Sequence, residues 1–321
     1  MARVDGIGEV LPPGGPLEVA GVSTDGSCTP DSDAMLQSGP SRPRPLLRDP
    51  IAQARFERDG ALVLPFLEPS AVIELRALWE EVGPISVSGI YSNVHNDDAA
   101  TSHRVADVIH RLFDPWVQDT FIDCYLAGQS FLVKGTGPDS DSKIHQDWNN
   151  VDERAGVSLN IWCPLVDVGE HNGALQVVRG SHRLFDTVRG ITTPSVYLEF
   201  DDELEAYLTP LPARAGDAVL YAHNLLHGSK PNETDEIRVC AVAGVLPLEL
   251  DHLHYWQPSG TEEIRVLGVD REFFYSGLLD LYRGVVPAGV EDRGTIQRDT
   301  LPLERSFVLA SIDADRSGSV V

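Results

Sequence analysis

No stretch of about 18 consecutive apolar residues occurs in the chain, so a membrane-spanning helix is not expected. The opening MARVDGIGEV has no apolar core of the kind a secretory signal needs, which predicts a cytoplasmic protein. Positive charge is scarce: 25 Lys and Arg stand against 49 Asp and Glu, for a net charge of −24. Such a balance repels phosphate backbones and anionic lipid, so neither nucleic acid nor a membrane surface is an expected partner. Cysteine is sparse too. Cys28, Cys124, Cys163 and Cys240 are far apart with no C-x-x-C pair, which argues against a disulfide framework and a cysteine zinc site. The last three read as small buried hydrophobes. What remains is an ordinary globular composition, 321 residues with 42% hydrophobic content, enough to bury one large core or at most two.

Residues 1–45 carry seven Gly, seven Pro and five Ser, too many breakers and too little apolar mass for packing, and predict a disordered tail. From Asp49 the pattern changes. DPIAQARFERDGALVLPFL predicts a short helix closed by Gly60 and a strand from Ala61 to Phe66. EPSAVIELRALWEEV predicts a helix with Ser70 as N-cap and Val72, Leu75, Leu78 and Trp79 on one face. Two further helices are expected around 103–113 and 115–126. From Gln129 to about Leu246 come short runs rich in Val, Leu and Ile (SFLVK, GVSLNIWCPLV, ALQVV, DAVLYA, IRVCAVAGVL), broken by turn residues as in a sandwich or barrel. REFFYSGLLDLYRG, 271–284, predicts one late helix, and IDADRSGSVV a frayed end. The expected organisation is a domain over 46–285, with a helical segment at 46–127, a β-core at 128–246 and a closing segment at 247–285, followed by an extension at 286–321.

KIHQDWNN, Lys143 to Asn150, raises the question of function. On a strand, residues two apart share a face, so His145 and Asp147 would present an imidazole and a carboxylate side by side while Gln146 turns away. Two ligands hold a divalent ion poorly. The best third donor is His227 in YAHNLLHGSKPN, 82 residues on, with Arg238 eleven residues beyond it. Two His and one carboxylate that leave neighbouring positions open form the facial triad of non-haem Fe(II) oxygenases. His223 and His227 are also four apart, as in helical zinc sites, but Asn224 stands where the metalloprotease pattern has glutamate. His182 in GSHR reads as a loop fastener.

KIHQDWN, NGALQVVRGSHR at 172–183, RAGDAVLYAHNLLHGSKPN and Arg238 together resemble the phytanoyl-CoA dioxygenase family of Fe(II)/2-oxoglutarate oxygenases. FERDGALVLPFLEPSAV resembles that family's amino-terminal part, so the likeness spans roughly Phe56 to Val245. Arg179 departs from it, standing where the family usually has proline before Gly-Ser-His. The resemblance implies a mainly β protein with flanking helices around a double-stranded β-helix, the jelly-roll or cupin-like core. It implies His145, Asp147 and His227 as iron ligands, with Fe(II), 2-oxoglutarate and O2 as cofactor and co-substrates. Arg238 then meets the distal carboxylate of 2-oxoglutarate, assisted by Ser229, with Trp162 and Asn160 lining that pocket. The implied reaction releases succinate and CO2 while substrate is oxidised, and the carboxylate ligand favours oxygenation over halogenation.

Trp148 and Asn149 are candidate substrate contacts, and 85–104 and 184–210 are expected to be loops that form a lid. Arg154, Arg179 and Arg183 do not amount to a coenzyme A site in so acidic a chain, so a small metabolite is the expected substrate, such as an amino acid or biosynthetic intermediate. Two other readings are a cupin-type metalloenzyme independent of 2-oxoglutarate and a non-catalytic jelly-roll binding protein. Arg238 and Ser229 speak against the first, and an intact ligand triad against the second.

Overall fold

The computed structural model describes residues 43–95, 98–184, 187–193, 200–297 and 305–318. Most of the predicted tail therefore lies outside the described residues. Its end is anchored: Arg44 donates to both carboxylate oxygens of Glu249, at 2.6 and 2.8 Å.

Helix α1 (Pro50–Asp59) starts where Asp49 accepts from the Ile51 N–H and ends at Gly60, whose φ of 75° is the left-handed conformation glycine adopts without strain. Strand β1 (Ala61–Pro65) follows, one residue shorter than expected. Helix α2 (Pro69–Val82) buries the four expected residues, but Glu68 occupies the N-cap and Ser70 makes no cap. Pro69 at the first helical position explains the shift, because its fixed φ suits that place. After β2 (Ile90–Ser92), α3 (Ala99–Thr120) is one helix where two were expected, and it runs through Pro115. Its buried stripe, Val105, Ile109, Phe113 and Val117, repeats every four residues across the proline. Pro115 itself is exposed, so the carbonyl that loses its partner faces water.

The remaining elements are β3 (Cys124–Lys134), β4 (Ser142–His145), β5 (Leu159–Pro164), β6 (Gln176–Val177), α4 (Asp201–Glu205), β7 (Thr209–Pro210), β8 (Asp217–Ala222), β9 (His227–Ser229), β10 (Arg238–Pro247), β11 (Leu253–Trp256), β12 (Glu263–Gly268), α5 (Leu278–Tyr282), β13 (Glu291–Gln297) and α6 (Arg305–Gly318). A six-stranded antiparallel sheet runs β1-β8-β5-β10-β3-β2, and a four-stranded one β4-β9-β6-β7. Together they form the jelly roll. Helices α1, α2 and α3 pack on the larger sheet through contacts such as Trp79 on Phe131, with ring centroids 5.6 Å apart. The larger sheet's other face carries Asn160 and Tyr221 to the residues that follow and open the small sheet's strands: Asn160 reaches Asp147, and the Tyr221 and His227 rings are 4.7 Å apart.

The late helix is shorter than the sequence suggested, a π-helical turn at Phe273–Gly277 leading into α5. The predicted frayed end is helical as far as Gly318, because Val308 and Ile312 are buried against Ile144 of β4. Residues 85–104 are not simply a loop, since they include β2 and the first turn of α3, and 184–210 include α4 and β7. Residues 194–199 lie outside the described residues. Among the described residues no helix is long and apolar enough to cross a membrane.

Candidate metal and 2-oxoglutarate site

His145 ends β4 directly opposite His227, which opens β9, and the two ring centroids are 4.2 Å apart. Asp147 follows β4, and its backbone N–H donates to the His223 carbonyl at 2.9 Å. Its Oδ1 lies 3.8 Å from His145 Nε2 and 3.6 Å from His227 Nε2, and one ligand atom from each residue falls within 4.8 Å of the others. The tautomers follow from the partners. His145 Nδ1 meets the Lys143 carbonyl at 2.7 Å and His227 Nδ1 the Leu225 carbonyl at 2.9 Å. A carbonyl only accepts, so each Nδ1 carries the proton and each Nε2 lone pair turns to the shared point. Burial lowers His227 to about 4, against the weaker pull of Asp147, and keeps it neutral as a metal ligand requires. Burial alone would raise the Asp147 carboxyl. The nearby imidazoles and the Tyr221 hydroxyl outweigh it and hold the group ionised.

Asn160 donates to Asp147 Oδ2 at 2.7 Å, so its amide is committed to the carboxylate oxygen that faces away from the histidines. Tyr221, opposite Asn160 across β5 and β8, reaches the same carboxylate. The two fix which oxygen a metal sees. Nitrogen and oxygen donors on one face, with oriented tautomers, fit Fe(II).

Arg238 opens β10 and is buried, with its guanidinium carbon 4.8 Å from the centre of the Trp162 ring. One nitrogen donates to the Gly173 carbonyl at 3.0 Å, and Nε has no partner. Among the described residues no carboxylate pairs with it. A buried charge without a counter-ion costs several kcal/mol, and stacking on an aromatic ring returns about 2 kcal/mol at best. The site therefore wants an anion, and a dicarboxylate supplies one. Ser229 lies two residues beyond His227 on β9 and is buried. Gly173 belongs to this pocket by necessity. Its φ is 74°, and a methyl group there would strike the Lys134 side chain.

Sequence reasoning missed three groups. Lys134, paired with Arg238 across β3 and β10, is fully buried and donates to the carbonyls of Ser140, Ser229 and Lys230. Burial, with the Arg238 charge, lowers it to about 7, a value an incoming anion would raise. Its only trace in the sequence is a lysine closing the apolar run SFLVK. Tyr221 is the second. The third is Arg189, which donates to the Asp147 carbonyl at 2.7 Å and pairs with the buried Glu153 at 2.5 Å.

The structure brings His145, Asp147, His227 and Asn160 together and sets Arg238 over Trp162, while Lys134, the cross-strand partner of Arg238, donates to the Ser229 carbonyl. Gln146 turns away as expected, donating to the Asn224 carbonyl. Asn149 is buried and its Oδ1 accepts from the Arg189 N–H at 2.6 Å, which ties it to a neighbouring loop. Trp148 packs its edge on His254 at 5.4 Å. His223 stands apart from the triad in a turn, held by Ser158 at 2.7 Å and Asn150 at 3.2 Å, and His182 meets the Glu57 carbonyl at 3.1 Å.

The family description phytanoyl-CoA dioxygenase (PhyH) matches residues 56–240, more than half of the chain. The chain is similar to Dioxygenase FUM3 of Gibberella moniliformis, 24% identical over 218 residues that cover 58% of this chain and 67% of that protein. It is also similar to Ectoine dioxygenase of Nocardia farcinica, 28% identical over 221 residues, 56% of this chain and 71% of that one. A solved structure, the non-heme alpha ketoglutarate dependent epimerase SnoN from nogalamycin biosynthesis, is similar at a TM-score of 0.49 and 22% identity, covering 78% of this chain and 98% of that one. The chain belongs to the phytanoyl-CoA dioxygenase family and is an Fe(II)- and 2-oxoglutarate-dependent oxygenase.

Proposed function

We propose that this oxygenase hydroxylates a small-molecule metabolite, with His145, Asp147 and His227 holding Fe(II) and Arg238 holding the distal carboxylate of 2-oxoglutarate. The observation that carries the assignment is the pairing of an oriented His-Asp-His cluster with a buried guanidinium that lacks a counter-ion. Bound Fe(II), with 2-oxoglutarate and O2, supplies an oxidant able to break an aliphatic carbon–hydrogen bond, and 2-oxoglutarate leaves as succinate and CO2.

The protein's own groups position the reactants. Asn160 and Tyr221 hold Asp147 so that one oxygen faces the metal, and the carbonyls behind His145 and His227 hold the ring tautomers. Trp162 lies against the planar Arg238 guanidinium and fixes its position, and Ser229 and Lys134 give the co-substrate carboxylate a hydroxyl and further positive potential. The aspartate fills the position a halide would need, which favours hydroxylation. Trp148, next to it in sequence, is the substrate contact in this reading.

The acyl-CoA substrate of the family's name is not carried over. Arg154 is tied to Asp152 at 2.9 Å, Arg179 to Asp59 at 3.2 Å, and Arg183 to the carbonyls of Glu57 and Arg58. None stands ready for a phosphate. With Fe(II), O2 and a panel of small metabolites, wild-type protein should release succinate in step with one hydroxylated product, and His145→Ala should release none. Succinate formation by that variant at the wild-type rate would refute the assignment.

A further inference from the structure

His252 and His254 are buried, and none of their four ring nitrogens has a hydrogen-bond partner among the described residues. Native proteins seldom leave such groups unpaired, because a dry, unsatisfied donor or acceptor forfeits its hydration. The Asp270 charge favours a proton on His252 but makes no hydrogen bond with its ring, and the remaining neighbours are aromatic. His254 lies 5.4 Å from the Trp148 ring, edge to face, and 5.0 Å from Phe273. His252 stacks on Phe274 at 5.7 Å and stands 6.5 Å from Tyr125. Residues two apart on an extended segment share a face, so both imidazoles look to one side of the segment, a closed face walled by aromatic rings. Trp148 ties that surface to the reaction centre, for it follows Asp147 directly, and the segment is held to it by the Leu253 N–H donating to the Asn150 carbonyl at 2.9 Å.

We propose that His252 and His254 form the recognition subsite for the substrate, and that the substrate is a neutral, hydroxyl-bearing ring compound. This rests on the oxygenase reading above. The aromatic walls accept an apolar ring, while a neutral imidazole offers one donor and one acceptor, the complement of a hydroxyl group. Burial lowers His252 to about 4 and His254 to about 3, so both are uncharged near neutrality. An uncharged pair gives a carboxylate no counter-ion, and a cation would meet two groups that resist positive charge.

The Fe(II)-loaded full chain with 2-oxoglutarate, kept anaerobic, is titrated calorimetrically with three probes of one shape: 4-phenylcyclohexanol, 4-phenylcyclohexanecarboxylate and 4-phenylcyclohexylammonium. The alcohol should bind best. His254→Phe and His252→Phe should each weaken it about tenfold or more, the effect of one lost hydrogen bond to a buried group. The thermal midpoints of both variants should hold or rise, because phenyl rings suit this aromatic setting without unpaired nitrogens. His254→Gln, which keeps a donor and an acceptor, should retain much of the binding. A fall in the midpoints would make the histidines structural and overturn the proposal, as would failure of the alcohol to bind or preference for a charged probe. Loss of 2-oxoglutarate binding in the wild-type protein would instead strike the oxygenase reading itself.

Discussion

Asn160 shows how one side chain outside the metal's immediate ligands sets what the ligands can do. Its amide holds the outer oxygen of Asp147, and Tyr221 supports it from the adjacent strand. Groups in this position typically contribute 10–100-fold to metal affinity. Asn160→Ala should therefore weaken Fe(II) binding by roughly that factor, measured by competition with a chelator, with little change in thermal midpoint. Unchanged affinity would mean that Asp147 needs no such support. At this scale the sequence spoke through spacing. His145-x-Asp147 is a two-residue repeat that any strand turns into one face, and its match to His227 and Arg238 was available by resemblance. Asn160 was found in the right strand but given the co-substrate, because nothing in the string shows that its side chain ends on Asp147. Tyr221 and Lys134 had no motif at all.

The loop at 187–193 bears on the proposed metal ligands as an element. Arg189 is its working residue, bonded to the Asp147 carbonyl, to Glu153, and through its N–H to Asn149. Gly190 allows the approach, since a methyl group there would overlap the Tyr255 carbonyl. Arg189→Ala leaves Glu153 buried and unpaired, so it should destabilise the protein by about 3–5 kcal/mol. The double variant Arg189→Met with Glu153→Leu should recover most of that loss in denaturant unfolding, because apolar groups of similar size often replace a buried pair without cost. It should not recover iron affinity. Recovery of both would reduce the ion pair to packing alone. This loop was expected to be a lid from its Ser, Thr and Asp content, but composition cannot reveal that one arginine reaches back across 42 residues to the metal segment. Similarly, the two helices expected around 103–113 and 115–126 are one through Thr120, because the four-residue apolar stripe carries across Pro115.

Over the whole molecule, the buried histidines make stability depend on pH. Burial lowers His223, His227 and His252 to about 4 and His254 to about 3, from the ordinary imidazole value of 6.5. The unfolded chain binds these protons at a higher pH than the folded one, so their contribution is intact above about 6.5 and is lost as pH falls towards 4. Each such shift is worth about 3 kcal/mol, and four together approach the whole stability of a typical domain. His103 and His171 shift the other way beside Glu272 and Glu233, but both pairs are solvent-exposed and screened. The metal-free protein should lose thermal midpoint steadily from pH 7 to 5. A flat or rising midpoint over that window would contradict the burial described for these rings.

The proposed site joins an iron triad to a guanidinium suited to a dicarboxylate, and the decisive measurement is anaerobic calorimetric titration of 2-oxoglutarate into the Fe(II)-loaded protein. One 2-oxoglutarate should bind per chain, and only when Fe(II) is present. His145→Ala should lose the metal and with it the binding, while Arg238→Ala should keep the metal and bind 2-oxoglutarate at least tenfold more weakly, as expected for a lost charge-assisted bidentate pair. Equal 2-oxoglutarate affinity with and without iron, or loss of iron from a folded Arg238→Ala protein, would contradict it.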